Sequence, residues 1–432
     1  MILYLADNRS RPNWGCRATS MALGALLQQV GPISDIINGV ETSASTMTPL
    51  RSGIALPKGV RRFFRGTRRI SWSVFYALDS FLDLSHDFLE VDTQRSVESF
   101  LRLKGRFPVL EGIYQKFVRC EMLVINGEGT YIFTDRPRRD TLYYNFAIAL
   151  AKKMGKKACV VNAMFSDEPE FGKNKKLYDE TVRVLRQTDL ITTRDPESYD
   201  YLMPDLEGHN VKYVPDALFT WSAHMAEWKE HMRGGVEAFE SFGYETHKRV
   251  PDVDLSKPYI AVSGSSWAAR DQDRAYNTYK GLISELQKLG LPLLIVPTCG
   301  GDVFLNRLAE DLSLPSVPVG IPIRIGAAIL GNAEVFVSGR FHPAVMASCG
   351  GTPCVFLSSN SHKTRSLQNV LEYDNVVEHH AMPDAAASAL IRQQCEDYLA
   401  VSRRERIAEV TRRLGQRSST VVDLLSQMRD AR

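Results

Sequence analysis

The stretch Ala333-Glu-Val-Phe-Val-Ser-Gly-Arg340-Phe-His342-Pro-Ala-Val-Met-Ala347 decides how this chain is read. An apolar strand, Val335 to Val337, runs into a glycine turn, and an arginine and a histidine follow. In extended backbone, residues at i and i+2 point to the same side. Arg340 and His342 are therefore expected to share a pocket while Phe341 turns away. The small-residue segment behind them reads as a helix, so its free N–H groups and its dipole face the same crevice. A fixed cation, a titratable imidazole and a helix N-terminus at the carboxyl end of a strand suit a small anionic ligand that carries phosphate.

Outward from this stretch, apolar strand-like runs alternate with helical patterns. In the first half the runs are Ile2–Leu5, Met122–Ile125, Ala158–Val161, Leu190–Thr193 and Val211–Val214. From about His224 to Lys257 the pattern dissolves into polar and charged sequence. A second alternation follows, with runs at Tyr259–Val262, Leu293–Val296, Val335–Val337 and Cys354–Leu357. Such β/α alternation predicts parallel sheets with helices on both faces. The expected architecture is α/β, with two Rossmann-like doubly wound domains facing a cleft. Residues 1–225 form the N-terminal domain, 226–257 a linker and 258–400 the C-terminal domain, while 401–432 is a helical segment packing across both. Ligands bind outside the carboxyl ends of strands in such sheets, and the space between two domains is a preferred site for a small molecule.

The chain has 432 residues, 44% hydrophobic and 24% charged, with a net charge of +3, which does not point to nucleic acid as a partner. Its seven cysteines are scattered, with no CxxC or other metal spacing, which reads as buried reduced thiols in a cytosolic protein and no metal site. Met1–Leu5 is too short for a signal segment, and no run approaches the length of a membrane-spanning helix. Between Arg51 and Phe88, six basic residues precede the aromatic-rich Trp72-Ser-Val-Phe-Tyr76. A solvated loop leading into a core helix is one reading. Peripheral contact with an anionic membrane surface, or guidance of an anionic acceptor, is another.

Several strand ends carry candidate chemistry. Asn13, Trp14 and Gly15 join the first strand to the first helix, flanked by arginines. Asn126-Gly127-Glu128-Gly129-Thr130 follows a strand directly, and Glu128 suits a sugar hydroxyl as acceptor or general base. A tight turn whose glutamate caps the next helix is the alternative. Arg194 closes a strand and offers a planar fork for carboxylate or phosphate, unless it is held in a buried pair with Asp216. Gly264, Ser265 and Ser266 offer N–H and hydroxyl groups to phosphate, and Trp267 could stack on a ring. Lys363, beside His362, adds positive charge.

Taken in order, Asn13-Trp14-Gly15, Asn126–Thr130, Thr193-Arg194-Asp-Pro-Glu-Ser-Tyr199, Val214-Pro-Asp216, Ser338-Gly-Arg340-Phe-His342-Pro-Ala344 and Gly351-Thr-Pro353 through Lys363 resemble the polysaccharide pyruvyl transferase family. The departures are Phe341, where a leucine is usual, and Gly-Cys-Arg17, where family members often carry an acid. The resemblance implies a GT-B-like fold, phosphoenolpyruvate as co-substrate with no other cofactor, and a sugar acceptor, free or lipid-linked. The product is a pyruvate ketal in polysaccharide or exopolysaccharide biosynthesis. By position, Arg194, Arg340 and His342 match residues the family uses for its donor. Arg340, His342 and Glu128 are the expected catalytic residues. The expected location is the cytoplasm, at the inner face of the membrane, with self-association left open. A glycosyltransferase using a nucleotide sugar, or a non-catalytic ligand-binding relative, are the competing expectations.

Overall fold

The structure, a computed structural model, describes residues 1–42, 87–169, 172–233 and 254–431. The basic, aromatic-rich stretch from Arg51 lies outside the described residues except for Asp87 and Phe88, as does most of the expected linker.

Two parallel sheets organise the chain. The first comprises β1 (Ile2–Asp7), β2 (Ile33–Asn38), β3 (Met122–Phe133), β4 (Lys157–Asp167), β5 (Leu190–Thr193) and β6 (Val211–Tyr213), in the order β2-β1-β3-β4-β5-β6. The second comprises β7 (Ile260–Ser265), β8 (Leu293–Ile295), β9 (Val335–Gly339), β10 (Cys354–Leu357) and β11 (Glu378–His379), in the order β11-β10-β9-β7-β8. Every ladder between these strands is parallel. Strands covered by helices on both faces are continuous apolar runs rather than alternating ones. Leu3–Leu5, Leu123–Ile125 and Cys159–Val161 are all wholly buried.

The edge strands escape that signature. In β2, Ile33-Ser-Asp-Ile-Ile-Asn38, only Ile37 is buried, and β11 is two residues long. The tight turn that was the alternative reading of Asn126–Thr130 does not form, because β3 runs on through that segment to Phe133. Its irregularity appears as a shift in register against β4 between Glu128 and Tyr131.

Among the described residues, apolar side chains form one cluster within each lobe and a third that runs through both. The shared cluster joins Tyr4, Trp14 and Val124 of the first lobe to Tyr259, Phe336 and Phe356 of the second, and to Val410 and Leu425 near the C-terminus. Trp14 is its bolt. The indole Nε1 donates to the Val319 carbonyl at 2.9 Å and the Trp14 amide donates to the Thr298 carbonyl at 2.9 Å. The ring fills the place of a missing side chain, since a Cβ on Gly326 would lie 2.6 Å from it. The helices Arg404–Ser418 and Val421–Asp430 touch both lobes. Arg404 donates to the Ala333 carbonyl at 2.6 Å, and the Ser418 hydroxyl donates to the Asp216 carbonyl at 3.0 Å. All seven cysteines are free thiols, Cys16 half-buried and the others buried.

Candidate active site

Strand order reverses between β1 and β3 in one sheet and between β7 and β9 in the other. Crevices open at the carboxyl ends of strands at such reversals. Here the two crevices face each other and enclose a cleft of about 230 Å³. The first lobe lines it with Asn8, Arg11, Asn13, Gly15 and Cys16 behind β1, Glu128 to Thr130 on β3, Arg138, and Arg194 behind β5. The second lobe adds Ser266 behind β7, Thr298 and Cys299 behind β8, Arg340 to Pro343 behind β9, and Asn360 and Lys363 behind β10.

Arg340 and His342 do share this cleft, though not by strand alternation. Arg340 is the extended N-cap of the helix Phe341–Cys349, and His342 already lies in that helix's first turn. The corner, rather than the pleat, aims both inward. Phe341 does not turn away: it lines the cleft, and the Arg194 guanidinium sits 4.2 Å from its ring centroid. Each arginine is held by a buried carboxylate. Arg340 Nη2 meets Asp302 Oδ1 at 2.5 Å, and Asp302 also accepts from the Thr298 amide at 2.9 Å. Arg194, only 3% exposed, meets Asp216 at 3.4 Å. The buried Arg194–Asp216 pair and the cleft-facing arginine are thus one and the same side chain.

His342 closes that pair into a cluster spanning the lobes. Its Nε2 lies 3.2 Å from Asp216 Oδ2 and 3.1 Å from Arg194 Nη1. Its Nδ1 side abuts Gly15, where a Cβ would fall 2.6 Å away. Burial pulls the imidazole below its ordinary pKa, Arg194 adds to this, and Asp216 offsets it only in part. Burial works to raise Asp216, but His342 and Arg194 outweigh it and hold that carboxyl below the usual range. A second bridge lies beside the first, where His362 Nε2 meets Asp195 Oδ1 at 3.0 Å.

Glu128 has the opposite character. Burial pushes its carboxyl up to about 7, against the hydrogen bond from Cys16 and the charge of Arg194. It sits at φ 41°, a left-handed conformation that costs a non-glycine residue of order 1–3 kcal/mol. Asn126 Nδ2 donates to it at 3.3 Å. Lys363 is brought down to about 7 by burial first and by Arg194, Arg340 and Arg138 next. Its Nζ donates to Asn360 Oδ1 at 2.6 Å and to Ser266 Oγ at 3.3 Å.

Some expected ligand-binding residues stand elsewhere. Trp14 is in the core between the lobes. Gly127 is a close approach of strands, since a Cβ there would overlap Ala163. Gly264 likewise makes room for the Asp302 carboxylate, and Ser265 is buried with its hydroxyl accepting from the Ala268 amide at 3.1 Å. Trp267 donates to the Ser359 carbonyl at 2.6 Å and stacks under Arg270. Asn13 lines the cleft but spends its side chain capping the helix Trp14–Val30. Arg138 and Asp302 were not foreseen as site residues, while Arg11, one of the loop arginines that could meet an acidic group, lines the cleft. Asp302 closes Thr298-Cys-Gly-Gly-Asp302 behind a strand, but nothing local says that it meets Arg340. Among the described residues no cluster of three or more His, Cys, Asp or Glu could hold a metal ion, and no helix is long and apolar enough to cross a membrane.

Two doubly wound lobes with one cleft between their facing strand ends define the GT-B fold, and solved structures of that fold match along the whole chain. A UDP-GlcNAc 2-epimerase from Neisseria meningitidis bound to UDP-GlcNAc gives a TM-score of 0.56 at 12% identity, covering 99% of each chain. An alpha,alpha-trehalose-phosphate synthase (UDP-forming) from Burkholderia xenovorans in complex with glucose-6-phosphate gives 0.53 at 11%, covering 100% of this chain and 99% of its own. At such identities the likeness is one of fold. The family is fixed by sequence: the polysaccharide pyruvyl transferase model matches residues 13–361, and the chain belongs to that family. No curated protein matches it.

Proposed function

We propose that the protein transfers a pyruvyl group from phosphoenolpyruvate to a sugar of a polysaccharide or glycan precursor, forming a pyruvate ketal and releasing phosphate. The observation that carries this reading is the convergence, in one interlobe cleft, of Arg194, Arg340, His342 and Lys363 opposite a carboxyl group, Glu128, poised near neutrality.

Arg340, Arg194 and Lys363 hold the donor's carboxylate and phosphate, with the N-terminus of Phe341–Cys349 directed at the same charge. His342, neutral in the unliganded cleft, gains a proton as the anionic donor enters, because opposite charge at close range favours imidazolium. It then protonates the methylene carbon, and positive charge develops at the central carbon. A sugar hydroxyl attacks there as Glu128 takes its proton. A second hydroxyl displaces phosphate and closes the ketal. The balance is complete: one hydroxyl proton replaces the one given to the methylene, and the other leaves with phosphate. General acid–base steps contribute roughly 10²–10⁴-fold, and preorganised cations add charge stabilisation. Phosphoenolpyruvate is the only co-substrate this scheme uses. The acceptor is free or lipid-linked, and the reaction belongs in the cytoplasm, at the inner face of the membrane where the acceptor is lipid-linked.

The test is phosphate release from phosphoenolpyruvate with candidate glycan acceptors, alongside turnover of nucleotide sugars, which several proteins of similar fold bind. His342→Ala and Arg340→Ala should each lose at least about 10²-fold in rate. Turnover of a nucleotide sugar with indifference to phosphoenolpyruvate would defeat the proposal, and binding of phosphoenolpyruvate without turnover on any acceptor would mark a non-catalytic relative.

A further inference from the structure

The arginines of the cleft fall into two sets. Arg194, buried, and Arg340, half-buried, are each paired with a carboxylate, at Asp216 and Asp302. Arg11 and Arg138 come from the first lobe, the wall that carries Glu128, and neither has an acidic partner among the described residues. Arg138 gives one N–H to the Gly129 carbonyl at 2.8 Å, beside Glu128, and the rest of its fork meets no hydrogen-bond partner among the described residues. Asp140 also lines the cleft but forms no ion pair with either among the described residues. Arg11 is seated rather than loose. Its guanidinium packs against Gly39, where a Cβ would overlap it, and its amide closes a turn onto the Asn8 carbonyl at 3.0 Å.

We propose that Arg11 and Arg138 form an anion subsite for the acceptor, so that the sugar pyruvylated here carries a phosphate or carboxylate close to the hydroxyls that react. This rests on the pyruvyl-transfer reading above. A guanidinium fork grips either anion by two parallel hydrogen bonds, and a pair of arginines without counter-carboxylates is poised for a charge that arrives with the ligand. Arg138 bonds to the carbonyl of Gly129, next in chain to Glu128, which sets that charge on the wall that carries the Glu128 carboxyl. An uncharged sugar would leave both forks without their anion.

The experiment is calorimetric titration of the protein saturated with phosphoenolpyruvate, so that the donor's anion positions are filled. The probes are inorganic pyrophosphate, galacturonic acid and uncharged methyl galactoside. At least one anionic probe should bind tenfold or more tightly than the uncharged one. Which of the two does so separates a phosphate-linked acceptor from a uronic acid. Arg11→Ala should weaken that probe at least tenfold while changing phosphoenolpyruvate affinity less than twofold, and Arg11→Lys should recover part of the loss. Equal binding of all three probes would overturn the proposal, as would an Arg11→Ala variant that weakens phosphoenolpyruvate and spares the probe. Absence of phosphoenolpyruvate binding by the parent protein would instead remove the donor reading, and is seen before any probe is added.

Discussion

Glu128 is unfavourable to the fold in two respects, its left-handed φ and its burial, and both are features that cluster at functional sites. The second has a measurable consequence. A carboxyl whose folded pKa lies near 7 rather than 4.5 favours the folded state while protonated, and that advantage disappears as pH rises through 7. Glu128→Gln should therefore be more stable than the parent at pH 8, by roughly 2–3 kcal/mol, with the difference closing near pH 4–5. Denaturant midpoints at the two pH values check this. On the proposed mechanism, in which Glu128 takes the hydroxyl proton, the parent's activity should rise with pH through about 7. A rate that falls through that range would make Glu128 the proton donor instead. Chain order placed Glu128 among the site residues, but it did not show the positive φ, because tertiary packing against β4 imposes that.

At the scale of elements, the helix Trp14–Val30 and the helix Phe341–Cys349 approach each other at Gly15 and His342. Gly15→Ala would set a Cβ 2.6 Å from His342 Nδ1 and 3.0 Å from its Cβ, so the imidazole must move off Asp216. The turnover number should fall about 10²-fold, as it does for small misplacements of reacting groups. Stability should change little, because alanine gains up to about 1 kcal/mol as a helix former against that clash. Steady-state rates and a melting curve on one sample decide it. Strands buried on both faces were legible because each is an unbroken apolar run. β2 and β11 were not, since an edge strand half in solvent has neither the run nor a clean alternation. Arg340 and His342 were read correctly as neighbours in the cleft. The reason differs, because the chain turns from strand to helix at Arg340 and carries Phe341 in under Arg194.

For the whole molecule, the apolar cluster running through both lobes makes their closure part of the fold. Trp14 is its most telling member, wholly buried and hydrogen-bonded across the lobes twice. Trp14→Ala should cost about 3–5 kcal/mol. On the proposed function it should also raise the KM for phosphoenolpyruvate, because the cations of the two lobes no longer meet, and small-angle scattering should show a larger radius of gyration. Unchanged scattering and KM would mean the lobes hold together without it. By itself the sequence determined two parallel sheets, the strand ends at which chemistry gathers, and the family. Apolar runs, glycine turns and an ordered set of motifs are local properties of a chain. Tertiary structure alone decided that Arg194 and His342, from different lobes, converge on Asp216, that Asp302 holds Arg340, and that Trp14 is a bolt rather than a ligand platform. It also decided which way the His342, Glu128 and Lys363 protons lean, because desolvation and the nearness of charges arise only when distant segments pack.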